Sequence, residues 1–152
     1  MLKKLIASSL LASSLIMTGC QTTPPPSDTI EMANIQQLQQ RTWILTQIGN
    51  TEIKTAPNER NIPSLQFSAD NRISGADGCN RIMGSYIVGR DTLTLSQLAT
   101  TRMACINNST VLQQFQEALA KVTHYQVFGK TLKLLDRHGN LLLQFGSAIQ
   151  PR

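Results

Sequence analysis

The sequence predicts an α+β domain: a mostly antiparallel, strongly bent, barrel-like sheet with one packed amphipathic helix. Two patterns predict it. Short segments that alternate apolar and polar residues are separated by turn residues over most of the chain, which is typical of antiparallel strands. One segment, residues 110–122, instead repeats its apolar residues at helical spacing. A bent sheet wrapped on that helix would bury the apolar faces of both and protect the edges of the sheet.

The first strand is predicted over residues 42–48, because TWILTQI is β-branched and aromatic and is followed by the turn residues Gly49 and Asn50. Further strands are predicted before the helix, over residues 64–68, 72–75, 82–88 and 92–98. In the last of these, alternation predicts that Leu93, Leu95 and Leu98 face inward. After the helix, a three-stranded meander is predicted over residues 125–128, 131–135 and 141–145.

The first nineteen residues have the pattern of a secretory signal peptide. Lys3 and Lys4 precede an apolar run over residues 5–17, and small residues follow it. That run is shorter than the roughly 20 residues needed to span a bilayer. Residues 16–20 (IMTGC) resemble the bacterial lipobox, in which the thiol of Cys20 receives a diacylglyceryl group and Cys20 becomes the first residue. Because Gln21 is not Asp, the usual inner-membrane retention signal is absent, and we expect an outer-membrane anchor facing the periplasm.

The predicted organisation is a signal peptide at 1–19, a lipidated cysteine with a Pro-rich tether at 20–37, and one folded domain at 38–148. Removal of the leader leaves 152 − 19 = 133 residues, enough for one domain with its own core. The run Pro24-Pro25-Pro26 favours extended polyproline geometry in the tether. We therefore expect the domain to be attached to the membrane through the lipid on Cys20.

The charge of the chain argues against a nucleic-acid partner. The full chain carries 14 Lys and Arg against 9 Asp and Glu, and loss of Lys3 and Lys4 leaves 12 − 9 = +3. The positive residues are spread singly and are not interleaved with aromatic residues as in nucleic-acid-binding surfaces.

Two cysteines remain once Cys20 is lipidated. In an extracytoplasmic protein, the pair Cys79 and Cys105 is first interpreted as a disulfide. A redox-active pair or a pair of metal ligands are the alternatives. Redox sites usually have Cys-x-x-Cys spacing, and no further His or Cys lies close in sequence to complete a metal set. We expect no metal and no cofactor.

Two clusters around these cysteines carry a resemblance to a known family. Residues 74–80 (SGADGCN) with 84–86 (GSY) form the first cluster, and residues 100–105 (TTRMAC) form the second. In this order along the chain, and with the residues below, the sequence resembles the META domain family of HslJ-like bacterial lipoproteins from residue 38 to 145. The remaining matching residues are Trp43, Ile44, Leu45, Phe115, Leu119, Gly129, Leu132, Lys133, Leu134 and Gly139.

The resemblance implies a partly open, barrel-like antiparallel sheet with a packed helix, and a stress-linked role in the cell envelope that includes novobiocin resistance. It supplies no catalytic residues, so none is assigned. By this resemblance the two clusters are expected to have a structural role. The alternative is that they form a recognition surface beside the disulfide, which includes Asn80 and Arg102.

Candidate catalytic groups can be selected from the sequence, but no motif around them supports a catalytic role. Ser74 or Ser85 could join His124 and Asp77 as a triad, but no nucleophile-elbow context surrounds either serine. Asp70 and Asp77 could serve as paired carboxylates, although aspartates at turns are ordinary. Arg102 either pairs with Asp77 as a structural bond or is exposed and binds an anion.

We therefore expect a non-enzymatic, outer-membrane-anchored lipoprotein that supports envelope integrity under stress. Its partners would be the membrane, through the lipid, and another envelope protein. Two alternatives are a barrel that holds a small apolar ligand or lipid, and a protein similar to lysozyme inhibitors.

Overall fold

The computed structural model describes residues 19–20, 23–24, 26–39, 41–55, 62–103, 105 and 109–147. The predicted signal peptide, apart from Gly19, lies outside the described residues. The elements are, in chain order, α1 (Ser27–Gln39), β1 (Thr42–Ile48), β2 (Thr51–Glu52), β3 (Ser64–Phe67), β4 (Arg72–Ala76), β5 (Arg81–Val88), β6 (Leu93–Thr100), α2 (Ser109–Leu119), β7 (His124–Phe128), β8 (Thr131–Leu135) and β9 (Leu141–Ser147). None of the helices in these ranges is long and apolar enough to cross a bilayer.

The strands form one antiparallel sheet in the order β6-β5-β4-β3-β1-β9-β8-β7, and the short β2 pairs with β1. The sheet curls until its two ends meet at a single bridge between Thr92 and His124. The backbone N of Leu93 donates to the Thr123 carbonyl and that of Tyr125 to the Asp91 carbonyl, each at 2.9 Å. The predicted α+β class with a strongly bent, barrel-like sheet is confirmed.

The strands predicted from alternation are all present. The bounds of β1 and β8 are those predicted, and β2 was not predicted. In β6, Leu93 is fully buried, but Leu98 is 36% exposed and is not the inward-facing residue expected. Leu98 lies five positions after Leu93, so unbroken alternation would place it on the outer face. An extra residue in β6, where Gln97 has a φ of 53°, instead sets Leu98 against Gly84 near the end of the strand, where it stays partly exposed.

The interior of the curled sheet is filled by side chains. Helix α2 contributes Phe115, which is fully buried and lies with its ring 6.2 Å from that of Phe145. Helix α2 ends at Leu119, three residues before the predicted end. The largest fully buried side chains that share this core are Trp43, Leu45, Leu65, Phe67, Ile73, Ile82, Tyr86, Leu93, Leu132 and Phe145, joined by Leu38.

The segment expected to be extended up to residue 37 is helical from Ser27 onward, which corrects the sequence prediction. Helix α1 contains no Gly or Pro, and the carboxylate of Asp28 in its first turn interacts favourably with the positive end of the helix dipole. Its last turn is held by the core: Leu38 is fully buried, and its carbonyl accepts a 2.9 Å bond from Trp43 Nε1. Burial of Leu38 stabilises a helix whose other apolar residues, Ile30, Met32, Ala33 and Ile35, remain wholly or partly exposed.

The curled sheet has two distinct ends, because successive strands alternate in direction. The turns β3–β4, β5–β6 and β7–β8 lie at one end, where α1 leads into β1; we call it the α1 end. The loop β4–β5, the segment that follows β6, and α2 lie at the opposite end, which we call the disulfide end.

Two tyrosines tie the α1 end together. The Tyr86 hydroxyl donates to the Ser68 carbonyl at 2.7 Å and accepts from Gln39 Nε2 at 2.8 Å. The Tyr125 hydroxyl donates to the Gly89 carbonyl at 3.0 Å. Burial raises the pKa of Tyr86 and raises the pKa of Tyr125 to about 12, with the nearby carboxylates of Glu31 and Asp91 adding to the rise for Tyr125.

Candidate recognition surface

The β4–β5 loop at the disulfide end is organised by one buried carboxylate. Asp77 is 1% exposed, and its Oδ1 accepts from the backbone N of Cys79 at 3.0 Å and of Asn80 at 2.7 Å. The Asp77 backbone N donates to the Asn80 carbonyl at 3.0 Å, and Gly78 supplies the φ of 100° that this tight turn requires. The loop is therefore closed by its own hydrogen bonds.

The second carboxylate oxygen of Asp77 holds helix α2. Gln116 Nε2 donates to Asp77 Oδ2 at 2.7 Å, which joins the loop to the middle of the helix. Of the two arrangements considered for Asp77 and Arg102, the buried pair is not formed, since Arg102 is exposed and Gln116 takes this position. A charge with such hydrogen bonds is stabilised in a buried site.

The segment that follows β6 is fixed against the same loop. Cys79 and Cys105 form a disulfide with their Cα atoms 6.1 Å apart, a separation normal for such a bond. Asn80 Oδ1 accepts from the Met103 backbone N at 2.7 Å. The Arg81 backbone N donates to Thr101 Oγ1 at 2.9 Å. Asn80 is only 9% exposed, so it holds the segment in place, and Arg102 is the member of the predicted pair that reaches solvent.

Four exposed side chains belong to this fixed segment or to the start of β5 beside it, and we call them the cationic–apolar surface: Arg81, Met83, Arg102 and Met103. Arg81 and Met83 occupy alternate positions of β5 on its outer face, and Met83 is 57% exposed. Met103 is 65% exposed. Sequence reasoning missed Arg81, Met83 and Met103, although the alternation of β5 around buried Ile82 places 81 and 83 on the solvent side.

Both histidines lie in one shallow groove between β7 and the β8–β9 turn, which was not predicted. The groove has a volume of about 330 Å³, and its lining includes His124, Arg137, His138 and Asp91. His124 Nδ1 is 2.9 Å from Thr123 Oγ1, and Arg137 Nε donates to His138 Nε2 at 3.0 Å. The neighbouring turn is ordered by Asp136, whose pKa is lowered by the hydrogen bonds it accepts from Asn140.

The Ser-His-Asp triad considered for Ser74 or Ser85, His124 and Asp77 is not formed. Asp77 is engaged with the loop and with Gln116, and neither Ser74 nor Ser85 lines the groove that contains His124. Asp70 forms an exposed 3.7 Å ion pair with Arg72 and lies in the β3–β4 turn, away from Asp77 at the opposite end of the sheet. Within the described residues, no three His, Cys, Asp or Glu side chains form a group that could hold a metal ion.

Comparison with known proteins gives a family and a set of similar folds. The family model of the META domain matches residues 36–149. A protein solved by NMR is 25% identical, with a TM-score of 0.57 over 73% of this chain and 92% of its own. An NMR structure of a protein from Burkholderia xenovorans is 23% identical, with a TM-score of 0.57 over 98% of this chain and 100% of its own.

A crystal structure of a DUF4847 family protein from Bacteroides vulgatus is 18% identical, with a TM-score of 0.54 over 75% of this chain and 96% of its own. No curated protein sequence matches the chain. The structures at 18% and 23% identity support the fold and carry no statement of activity.

Proposed function

Because this chain belongs to the META domain family, we propose that it is a non-enzymatic lipoprotein of the bacterial cell envelope that supports envelope integrity under stress. In this proposal the protein is anchored to the outer membrane by the lipid on Cys20, which is exposed and outside the disulfide. The domain then binds another envelope component through its cationic–apolar surface. The resemblance of residues 16–20 to a lipobox supports the anchor.

The observation that carries the binding role is the way the cationic–apolar surface is held. Arg102 and Met103 would be mobile on an ordinary loop. Here the segment is bonded to Arg81 through Thr101, to Asn80 through the Met103 backbone, and to Cys79 through the disulfide. A fixed surface loses less conformational entropy when a partner binds, because its side chains start from a restricted backbone.

The composition of the surface points to an acidic partner with an apolar centre. Two guanidinium groups can each form bidentate bonds with carboxylate or phosphate, and two exposed methionines offer adaptable apolar contacts. The alternative of a barrel for a small apolar ligand receives no support from the core, which is filled by Trp43, Phe67, Phe115 and Phe145.

The proposal is tested by deleting the gene and measuring growth at raised temperature, novobiocin sensitivity and outer-membrane permeability. We expect the deletion to be sensitive and the wild-type gene to restore it. The double variant Arg81→Glu/Arg102→Glu should fold but fail to restore it, whereas Lys54→Glu, an exposed charge reversal after β2, should restore it fully. Unchanged growth and permeability of the deletion strain would contradict the envelope role.

The anchor is tested separately. Cys20→Ala should abolish acylation, which mass spectrometry of the purified protein detects, and should release the protein from the membrane fraction. A direct assay of lysozyme inhibition tests the remaining alternative, that the protein acts as a lysozyme inhibitor. Inhibition at stoichiometric concentration would support that alternative and contradict the proposed role.

A further inference from the structure

Among the described residues, the most exposed large apolar side chain lies at the α1 end, opposite the cationic–apolar surface. Phe128 is 88% exposed at the tip of the β7–β8 hairpin. The alternation of β7 explains this exposure. Tyr125 is buried, Gln126 and Phe128 face solvent, and the turn at Gly129 and Lys130 follows directly. Burial of a phenylalanine ring is strongly favourable, and the fold leaves this ring in water.

The hairpin that presents Phe128 carries positive charge only. Residues 123–135 include Lys130 and Lys133, both exposed, and no Asp or Glu. A third cation is added from outside, because Arg41 Nη1 donates to the Gly129 carbonyl. An aromatic ring flanked by lysines is the combination that binds the headgroup region of an anionic bilayer.

Helix α1, which follows the proposed anchor along the chain, lies at this same end. Asn34 Nδ2 donates to the Arg90 carbonyl at 3.5 Å in the β5–β6 turn, and Arg41, just beyond the helix, reaches Gly129 in the β7–β8 turn. The helix thus lies across the α1 end, and its outer surface includes Met32, which is 69% exposed. Residues 21–26 connect it to Cys20 and span about 20 Å when extended, at about 3.1 Å per residue.

We propose that the α1 end of the domain docks on the surface of an anionic bilayer, with the Phe128 ring inserted at the headgroup level and Lys130 and Lys133 beside the lipid phosphates. This inference rests on the proposed lipidation of Cys20, which places a bilayer within reach. Docking in this orientation directs the disulfide end, and with it the cationic–apolar surface, away from the membrane.

The acidic residues at this end lie outside the hairpin that carries Phe128. Asp70 is paired with Arg72 at the β3–β4 turn, Asp28 and Glu31 lie on α1, and Asp91 lies in the β5–β6 turn next to Arg90. The positive charge beside the Phe128 ring is therefore not interrupted by a carboxylate of the same hairpin.

The test uses the acylated protein, purified from membranes and reconstituted in vesicles of phosphatidylethanolamine and phosphatidylglycerol. Phe128→Trp places a reporter at the proposed contact, and Met83→Trp places one at the disulfide end; unaltered protein gives the background of buried Trp43. We expect the reporter at position 128 to emit at shorter wavelength and to be quenched by lipids that carry a doxyl group on the upper acyl chain. The reporter at position 83 should remain unquenched.

Lysine removal supplies a second measurement. In Phe128→Trp/Lys130→Ala/Lys133→Ala, the ratio of docked to undocked domain should fall about fivefold for each lysine removed, so that quenching drops. Vesicles of phosphatidylcholine alone should give the same drop with both lysines present.

Three results would overturn the inference. Equal quenching at positions 128 and 83 would mean that the domain has no preferred face on the membrane. An unquenched, long-wavelength signal at 128 in protein whose mass shows the acyl chains would mean that the anchor is correct and the docking is wrong. A short-wavelength signal at 128 that doxyl lipids do not quench would mean that the ring is covered by protein, for example by a second copy of this chain. A mass without acyl chains would contradict the proposed anchor itself.

Discussion

Asp77 Oδ2 and Gln116 Nε2 lie 2.7 Å apart, and this bond is the link between the disulfide loop and helix α2. Asp77 also bonds two backbone N–H groups of its own loop. We predict that Asp77→Ala lowers the free energy of unfolding by about 3 to 5 kcal/mol, because it leaves these buried donors without an acceptor. Denaturant unfolding of the oxidised protein measures the loss.

The same pair makes a double-mutant cycle. Gln116→Ala alone should cost about 1 to 3 kcal/mol, and Asp77→Ala/Gln116→Ala should cost less than the sum of the single changes by roughly 1 to 2 kcal/mol. Strictly additive costs would show that the bond contributes nothing to stability.

The disulfide is predicted to contribute mainly by restricting the unfolded chain. The two cysteines are 26 residues apart, for which the chain-entropy relation gives about 3.5 kcal/mol at 25 °C. Cys79→Ala/Cys105→Ala should therefore lower the unfolding free energy by about that amount. Unaltered protein in excess reductant should behave like the double variant; a reduced protein as stable as the oxidised one would contradict the prediction.

All strands but β2 were predictable because one face lies in the core, which forces alternation: Leu65 and Phe67 in β3 are buried around exposed Gln66, whereas both residues of β2 are exposed. Helix α1 was not, because only Leu38 is fully buried and the preceding prolines favour extended chain. Its available signals were Ser27 and Asp28 directly after Pro26, and the absence of Gly or Pro up to Gln39.

The candidate surface shows the same limit. That Cys79 and Cys105 pair could be predicted from their number, but that Asn80 turns inward to the Met103 backbone could not, because that contact joins chain segments distant in sequence. The residues around Arg102 show no apolar periodicity, so the sequence did not predict whether its side chain is buried or exposed. The exposure of Leu98 was not predicted, because nothing in the sequence marks the register shift at Gln97 or the place of Leu98 near the end of a strand at the edge of the sheet.

Gly75 is predicted to be irreplaceable for steric reasons. A Cβ at this position of β4 would collide with the Ser64 carbonyl oxygen of the neighbouring strand, which is backbone and cannot turn aside. Gly75→Ala should therefore cost about 3 kcal/mol or more. Gly146→Ala is the matched control in β9, since its nearest neighbour would be Thr46 Cγ2 at an ordinary 3.6 Å. Thermal unfolding compares the two, and equal stability would contradict the steric argument.

Helix α1 is predicted to be part of the folded domain. Leu38→Ala should lower the unfolding free energy by about 2 to 5 kcal/mol, because it opens a cavity beneath Trp43 in a filled core. Met32→Ala, on the exposed side of the same helix, should change it by less than about 0.5 kcal/mol. Equal, small effects of both changes would mean that α1 does not dock in solution.

The pKa of Tyr125, raised to about 12, predicts a loss of stability at high pH. Folding favours the neutral phenol, so the stabilisation is fully present below the unfolded pKa of about 10 and is lost as the pH rises through about 12. The loss across this window should be about 2 to 3 kcal/mol at most.

Tyr125→Phe is the control for this prediction. It removes the bond to the Gly89 carbonyl, so it should cost about 1 kcal/mol at neutral pH. Between pH 10 and 12, however, its stability should fall less steeply than that of the unaltered protein, and the remaining slope should come from Tyr86, whose pKa is also raised by burial. Denaturant midpoints measured at intervals across this range give both slopes. Parallel slopes would show that Tyr125 ionises as easily in the folded protein as in the unfolded chain, and that the hydroxyl is not shielded by α1 and the β5–β6 turn.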